Sequence, residues 1–182
     1  GTWQFPMNAL ERASAGNSRL LMLCNPFNPI GRTLTRTELE SIVDISVQND
    51  LIICSDEIHC DLVLDGRPHI PTASISEAAA ERTITLMAPS KTFNLAGLGG
   101  SFAIIQNPLL REQFEAPRAG LVGNVNLLGY TAMQAAYADC EEWRQELLRY
   151  LERNRDYLSN AIENIPGIHM SPQESTYLAW LN

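Results

Sequence analysis

The sequence has 182 residues, of which 45% are hydrophobic and 19% are charged, a composition typical of one globular domain. Its 13 basic and 21 acidic residues give a formal net charge of -8, so it lacks a general attraction for nucleic-acid phosphates or anionic lipid. No apolar run approaches the roughly 20 residues of a spanning helix. We therefore expect a cytoplasmic protein that binds neither nucleic acid nor a membrane.

The cysteines and histidines form no pattern typical of a metal site or a disulfide framework. The four cysteines include no CxxC pair and are expected to be small buried side chains: Cys24, Cys54, Cys60 and Cys140. The three histidines lie far apart and show no HxxxH or HxH spacing: His59, His69 and His169. We expect no metal cofactor.

The first elements along the chain form a strand–helix–strand unit. Residues 19–24 are an apolar run typical of a strand buried on both faces, and the Asn-Pro sequence of residues 25–29 ends it. Thr35 and Glu38 have the spacing of a capping box and begin a helix. Residues 51–54 predict a second buried strand, which ends in Ser-Asp-Glu. Such a unit predicts two parallel strands joined by a right-handed crossover.

Two more strands follow this unit. A short helical segment over residues 74–81 leads to a third apolar strand over residues 83–87, whose end runs into the Ala-Pro-Ser-Lys of residues 88–91. Residues 101–106 predict a fourth strand, and residues 107–114 predict a helix that begins at Asn-Pro.

The C-terminal third of the sequence is mostly helical. Residues 126–138 predict an Ala-rich helix, and residues 141–165 predict a long helix with one apolar stripe. Residues 176–182 predict a strand that begins a new element. We therefore assign residues 1–140 to the central part of a large domain, and residues 141–182 to a long interdomain helix and the start of a small C-terminal domain.

The alternation of strands and helices predicts an α/β fold, a three-layer sandwich around a mostly parallel sheet. Ligands bind such sheets beyond the C-terminal ends of the strands, where Asn28, Asp56 and Lys91 lie. Taken singly, these residues have ordinary alternatives as a turn former, a turn acid and an exposed cation. Together they fit a pyridine cofactor, as an amide donor to its phenolic oxygen, an acid for its ring nitrogen and a Schiff-base lysine.

Three ordered motifs carry a family resemblance. They are Asn-Pro-Phe-Asn-Pro-Ile-Gly at residues 25–31, Ser-Asp-Glu-Ile-His at residues 55–59 and Ser-Lys-Thr-Phe-Asn-Leu-Ala-Gly-Leu at residues 90–98. Their order and spacing resemble the pyridoxal-phosphate (PLP) enzymes of fold type I, the class I/II aminotransferase superfamily. Within it, the motifs are most similar to the branch of cystathionine β-lyases and related carbon–sulfur lyases. The fold would then be the PLP-transferase large domain.

The resemblance implies a role for five residues. Lys91 would hold the cofactor covalently and later move the proton at the α-carbon of the substrate. Asp56 would pair with the pyridine nitrogen, and Asn28 would donate a hydrogen bond to the ring 3-oxygen. His59 falls where many members have a tyrosine that touches this oxygen, with a structural histidine as the alternative. Ser90 would bind the cofactor phosphate, with a solvated loop serine as the alternative.

Two departures from the family pattern concern the cofactor phosphate and the length. The usual serine and arginine ligands of the phosphate are replaced here by Ala88 and Gly99, and the lyase branch often lacks that arginine. Family members are considerably longer, so the chain resembles a central fragment whose large domain is incomplete at both ends.

The resemblance implies a PLP-dependent enzyme, a carbon–sulfur β-lyase like cystathionine β-lyase, which acts on a small amino acid and forms a homodimer. An aminotransferase is the alternative. A non-catalytic interaction or regulatory module on the same fold is an alternative of another class. We expect the fragment itself to be inactive, because the carboxylate clamp and much of the phosphate cup of the family lie outside it.

Overall fold

A sheet of four strands, in the order β1-β2-β3-β4, forms the centre of the computed structural model, which describes residues 3–182. The strands are β1 (Leu20–Cys24), β2 (Ile52–Asp56), β3 (Thr83–Met87) and β4 (Phe102–Ile105). β1, β2 and β3 pair in parallel, and β4 is antiparallel to β3. The predicted α/β fold with a mostly parallel sheet is thus confirmed.

Within residues 3–182, six α-helices connect and cover the strands. They are α1 (Met7–Ser14), α2 (Arg36–Gln48), α3 (Glu77–Ala80), α4 (Pro108–Glu115), α5 (Leu127–Asp139) and α6 (Glu141–Glu163). The capping box at the start of α2 is confirmed, because Thr35 Oγ1 accepts from Glu38 N at 3.3 Å and a Glu38 carboxylate oxygen accepts from Thr35 N at 2.9 Å. Among the helices within residues 3–182, none has the length and apolar character needed to cross a bilayer.

The two faces of the sheet are covered to different extents. On one face, Leu23 and Ile53 pack in a core with the α2 residues Leu39, Ile42 and Val43. On the other face, α4 covers β3 and β4, where its Leu110 packs with Ile84 and Ile105. Over β1 the same face is open, and Met22 is 74% exposed. Helices therefore lie on both faces, with the second layer confined to the β3–β4 half.

The C-terminal residues differ from the predicted strand over residues 176–182. The structure forms no regular strand there and shows only isolated bridges, between Val63 and Ser175 and between Met170 and Leu181. The physical reason lies at Thr176, which has a φ of 65° and so interrupts the extended backbone that a strand requires.

The last helix packs against the segment that follows β2. Leu148 of α6 contacts Leu62 and Leu64 in a separate apolar cluster. α6 begins at Glu141, where the sequence places a domain boundary, and ends at Glu163, two residues before the predicted end. The division into domains over residues 1–140 and 141–182 stays a prediction.

Candidate functional site

The C-terminal ends of three neighbouring strands form the candidate site. Cys24, the last residue of β1, pairs with Asp56, the last residue of β2, and Asp56 pairs on its other side with Leu86 of β3. The loops that carry Asn28 and Lys91 therefore leave the sheet on either side of Asp56. The predicted gathering of these residues at one sheet edge agrees with this register.

The loop after β1 is held by a backbone hydrogen bond to β2 and by one buried amide side chain. Asn25 is buried, its backbone N donates to Asp56 O at 3.0 Å, and its Oδ1 accepts from Leu34 N at 2.9 Å. The peptide bonds that precede Pro26 and Pro29 are cis. This loop leaves the Asn28 side chain exposed, where a ligand can reach it.

Asp56 borders a cleft at the sheet edge. Its carboxylate is partly exposed, and its Oδ1 accepts from Ile58 N at 3.1 Å, so one carboxylate oxygen is used by this turn. The cleft has a volume of about 510 Å3, and Asp56 lines it together with Ala88 and Ser101. A ring nitrogen in this region would have access to the carboxylate.

The next residue, Glu57, is a buried carboxylate that the sequence analysis missed. It is 1% exposed, and its Oε1 accepts from Ser55 Oγ at 2.8 Å and from Thr72 N at 3.0 Å. Its Oε2 lies 2.6 Å from His69 Nε2. These contacts fix the end of β2 and with it the backbone of Asp56. The period-two alternation of a strand could have shown that Asp56 and Glu57 face opposite sides.

His59 contacts Asn28, and the charges of two other site residues act on it. Its Nε2 lies 3.5 Å from Asn28 Nδ2, and the residue is 2% exposed. Burial lowers the pKa of His59 below its ordinary value, while the charge of Asp56 raises this pKa and the charge of Lys91 lowers it. The structure thus brings His59, Asn28, Asp56 and Lys91 together, with the His59 ring uncharged at pH 7.

Lys91 lies in a turn directly after β3. Phe93 N donates to Pro89 O at 2.9 Å and Leu95 N donates to Ser90 O at 3.1 Å, which closes the turn, and the Lys91 side chain is half-buried. Lys91 is the only lysine in the sequence, which has twelve arginines. This imbalance is a further sequence signal that sets Lys91 apart. Ser90 shares this turn, and its contact with a cofactor phosphate stays a prediction.

A C-terminal segment, the strap (residues 173–177), covers the site and was not found from the sequence. Its backbone bonds to both neighbouring loops, because Ser175 N donates to Gly31 O at 2.9 Å and Thr176 N donates to Leu62 O at 2.8 Å. It places the Tyr177 ring edge-on against His59, with the ring centroids 6.0 Å apart. The left-handed backbone of Thr176 sets this direction, at a cost of about 1–3 kcal/mol for such a residue.

The side chains gathered here suit PLP. An amine can hold its aldehyde, a carboxylate can pair with its ring nitrogen, and an amide N–H can bind its ring oxygen. Lys91, Asp56 and Asn28 supply these three groups, and the cleft beside Asp56 is open. The four cysteines are free and half-buried, and burial raises the pKa of Cys24 beside the site, which keeps it a thiol.

The sequence is similar to known enzymes over its whole length. The model of the family described as aminotransferase class I and II matches residues 1–182. Cystathionine beta-lyase PatB of Bacillus subtilis is 40% identical over 186 residues, which cover 100% of this chain and 48% of that protein. The chain therefore spans about half the length of the curated relatives it matches.

Solved structures share the fold at similar coverage. Cystalysin from Treponema denticola, whose crystal structure contains PLP, has a TM-score of 0.94 at 38% identity, over 98% of this chain and 46% of that one. N-Succinyldiaminopimelate aminotransferase from Mycobacterium tuberculosis has a TM-score of 0.84 at 29% identity, over 97% of this chain and 45% of that one.

Substitution of Gly31 tests the close contact between this residue and the strap. Its φ is 74°, and a Cβ there would lie 3.0 Å from Ser175 O. We expect Gly31→Ala to lower the free energy of unfolding by more than about 1 kcal/mol, from backbone strain and from the displaced strap. The matched control is Gly66→Ala, where φ is 64° and the new Cβ would meet nothing within 4 Å. Equal losses in urea unfolding would contradict a tight contact between Gly31 and the strap.

Proposed function

The chain belongs to the aminotransferase class I and II family, and we propose that it supplies the lysine, aspartate and asparagine of a PLP-dependent carbon–sulfur β-lyase. The proposed substrate is a small amino acid with a sulfur leaving group on its β-carbon, such as cystathionine. One water is consumed, and the products are pyruvate, ammonia and a thiol. The 40% identity to Cystathionine beta-lyase PatB supports the reaction class.

The observation that carries the proposal is the placement of three complementary groups around one sheet edge. Asp56 ends β2, and the loops with Asn28 and Lys91 follow the strands on either side of it. PLP, when bound, supplies an electron-accepting ring that stabilises negative charge at the α-carbon of the substrate. The negative carboxylate of Asp56 favours a protonated ring nitrogen, which strengthens this electron acceptance.

The other two residues orient the ring and move the proton. Asn28 Nδ2 would donate a hydrogen bond to the ring oxygen and so restrict the orientation of the ring. The Lys91 amine would hold the cofactor through its aldehyde carbon and, once freed by the substrate amine, would accept the proton from the α-carbon of the substrate. Loss of that proton allows the bond between the β-carbon and sulfur to break, with its electron pair leaving on sulfur.

Transamination is the second candidate. The fold similarity to N-succinyldiaminopimelate aminotransferase, at 29% identity, supports it. Both reactions begin with removal of the α-proton by the same lysine, and they differ in where the next proton goes. An aminotransferase returns a proton to the cofactor carbon, whereas a lyase expels the group on the β-carbon.

The first test of the proposal is covalent capture of PLP by Lys91. The chain is incubated with PLP and reduced with borohydride, and we expect one pyridoxyl group on the peptide that contains Lys91. Lys91→Ala and Lys91→Arg should both lose this label, since arginine keeps the charge but not the reactive amine. Because the chain has one lysine, the N-terminal amine is the internal control in mass spectrometry. Labelling of that amine alone would contradict the proposed role.

The second test separates the lyase from the aminotransferase. The full-length protein is given cystathionine with and without a keto-acid acceptor, and pyruvate and free thiol are measured. We expect both products without an acceptor, and a loss of at least about a thousandfold in kcat for Lys91→Ala. Strict dependence on the acceptor would refute the lyase. The 182-residue chain alone is expected to show little or no turnover, because positioning of the substrate carboxylate contributes much of the rate.

We also propose that the protein is a homodimer. The segment around the start of α5 exposes large apolar side chains that water does not favour, with Leu121 84% and Leu127 79% exposed. Sedimentation velocity should show a dimer at micromolar concentration, and Leu127→Asp should shift it toward monomer. Tyr157→Asp, at an exposed aromatic of α6, is the control and should not. A wild-type protein that sediments as a monomer would contradict this proposal.

A cytoplasmic location stays a prediction.

A further inference from the structure

We propose that His59 is a positioning residue, whose uncharged ring accepts a hydrogen bond from the Asn28 amide and thereby aims that amide at the cofactor ring. This inference rests on the proposed function, because it concerns the residue that would bind the ring oxygen. It differs from the expectation that His59 itself touches this oxygen. The predicted consequence is that cofactor binding weakens in acid through one identified histidine.

The contact joins an exposed residue to a buried one. Asn28 is exposed on its loop, whereas His59 is 2% exposed, and the two side chains meet at 3.5 Å between Nδ2 and Nε2. An amide nitrogen carries two hydrogens, so one can bind His59 while the other remains for a ligand. His59 therefore restricts the rotation of the Asn28 side chain and leaves its second donor free.

The donor and acceptor roles fix the tautomer of His59. Asn28 Nδ2 can only donate, so Nε2 must accept and the ring proton must lie on Nδ1. The Nδ1 atom is buried and has no hydrogen-bond partner within residues 3–182. Neither nitrogen of His59 is thus presented to an incoming ring, whereas the exposed Asn28 is. The geometry therefore favours an indirect role for the histidine.

The surroundings keep the ring uncharged at neutral pH. The Tyr177 ring packs edge-on against His59, and burial lowers the pKa of the histidine below its ordinary value. Of the charged groups that act on it, the Asp56 carboxylate raises this pKa and the Lys91 ammonium lowers it. When the pH falls through the pKa, both ring nitrogens carry hydrogens and the acceptor for Asn28 disappears. Positioning is thus present at neutral pH and is lost in acid.

The contact itself can be tested without a cofactor. NMR of the 15N-labelled chain reports the ring nitrogens of His59 and the side-chain amide of Asn28 during a pH titration. We expect the Nδ1–H tautomer at pH 7, a His59 pKa below about 6.5, and a shift of the Asn28 amide signals that follows the same titration. The opposite tautomer, or Asn28 amide signals that do not move with His59, would overturn the inference.

Two substitutions separate the acceptor from the shape and the charge of the ring. His59→Gln keeps an acceptor at a similar reach but does not titrate, and His59→Phe keeps a ring without an acceptor. We expect PLP affinity of the chain, measured by absorbance, to fall more steeply in acid for the wild type than for His59→Gln. His59→Phe should bind PLP roughly two- to tenfold more weakly than the wild type at neutral pH, because it loses one hydrogen bond. The exposed His169→Gln is the control and should keep the wild-type pH profile.

The outcomes distinguish this inference from the function on which it rests. If PLP does not bind to the wild type, the proposed function fails, and the NMR titration still decides whether His59 holds Asn28. If PLP binds but its affinity falls equally steeply in acid for the wild type and for His59→Gln, groups other than His59 cause that loss and the positioning role is refuted. Thermal unfolding of each variant checks that it is folded before its affinity is compared.

Discussion

The parallel pairing of β1, β2 and β3 is the constraint on which the site depends. Parallel strands bring successive C-terminal ends to the same sheet edge, and the register places Asp56 between Cys24 and Leu86. The antiparallel β4 preserves this arrangement, because Phe102 pairs with Met87 and so both ends of the loop with Lys91 lie at that edge. Residues far apart in the sequence thus share one site without long connections across the sheet.

The end of β2 shows how neighbouring carboxylates take different roles. Asp56 faces the cleft with one oxygen bound in a turn, whereas Glu57 is buried and bound by Ser55, Thr72 and His69. A buried carboxylate stabilises the fold only while all of its hydrogen bonds are made. Each buried donor or acceptor left without a partner lowers the free energy of unfolding by about 1–3 kcal/mol. Glu57 therefore anchors the strand end from one face of the sheet, and Asp56 remains available for chemistry on the other.

Local patterns predicted much of this molecule. The apolar runs of β1, β2 and β3 and the capping box of α2 depend on neighbouring residues. Asn28, Asp56 and Lys91 were proposed as site residues because they follow predicted strands. The direction of β4 was not predictable, since an apolar run does not encode which way a strand runs. The strap was missed because its position depends on the backbone of Thr176 and on hydrogen bonds to Gly31 and Leu62, which no local pattern contains.

The strap has a consequence for the order in which the molecule is assembled. More than 140 residues separate Gly31 from the strap residues that donate hydrogen bonds to it, so closing this loop costs conformational entropy. We therefore expect these bonds to form after the sheet and α6. During synthesis Asp56, His59 and Lys91 emerge long before Tyr177, and the His59 ring stays accessible to water until the strap arrives. The electrostatic environment of the site is therefore completed only after residues 173–177 have been made.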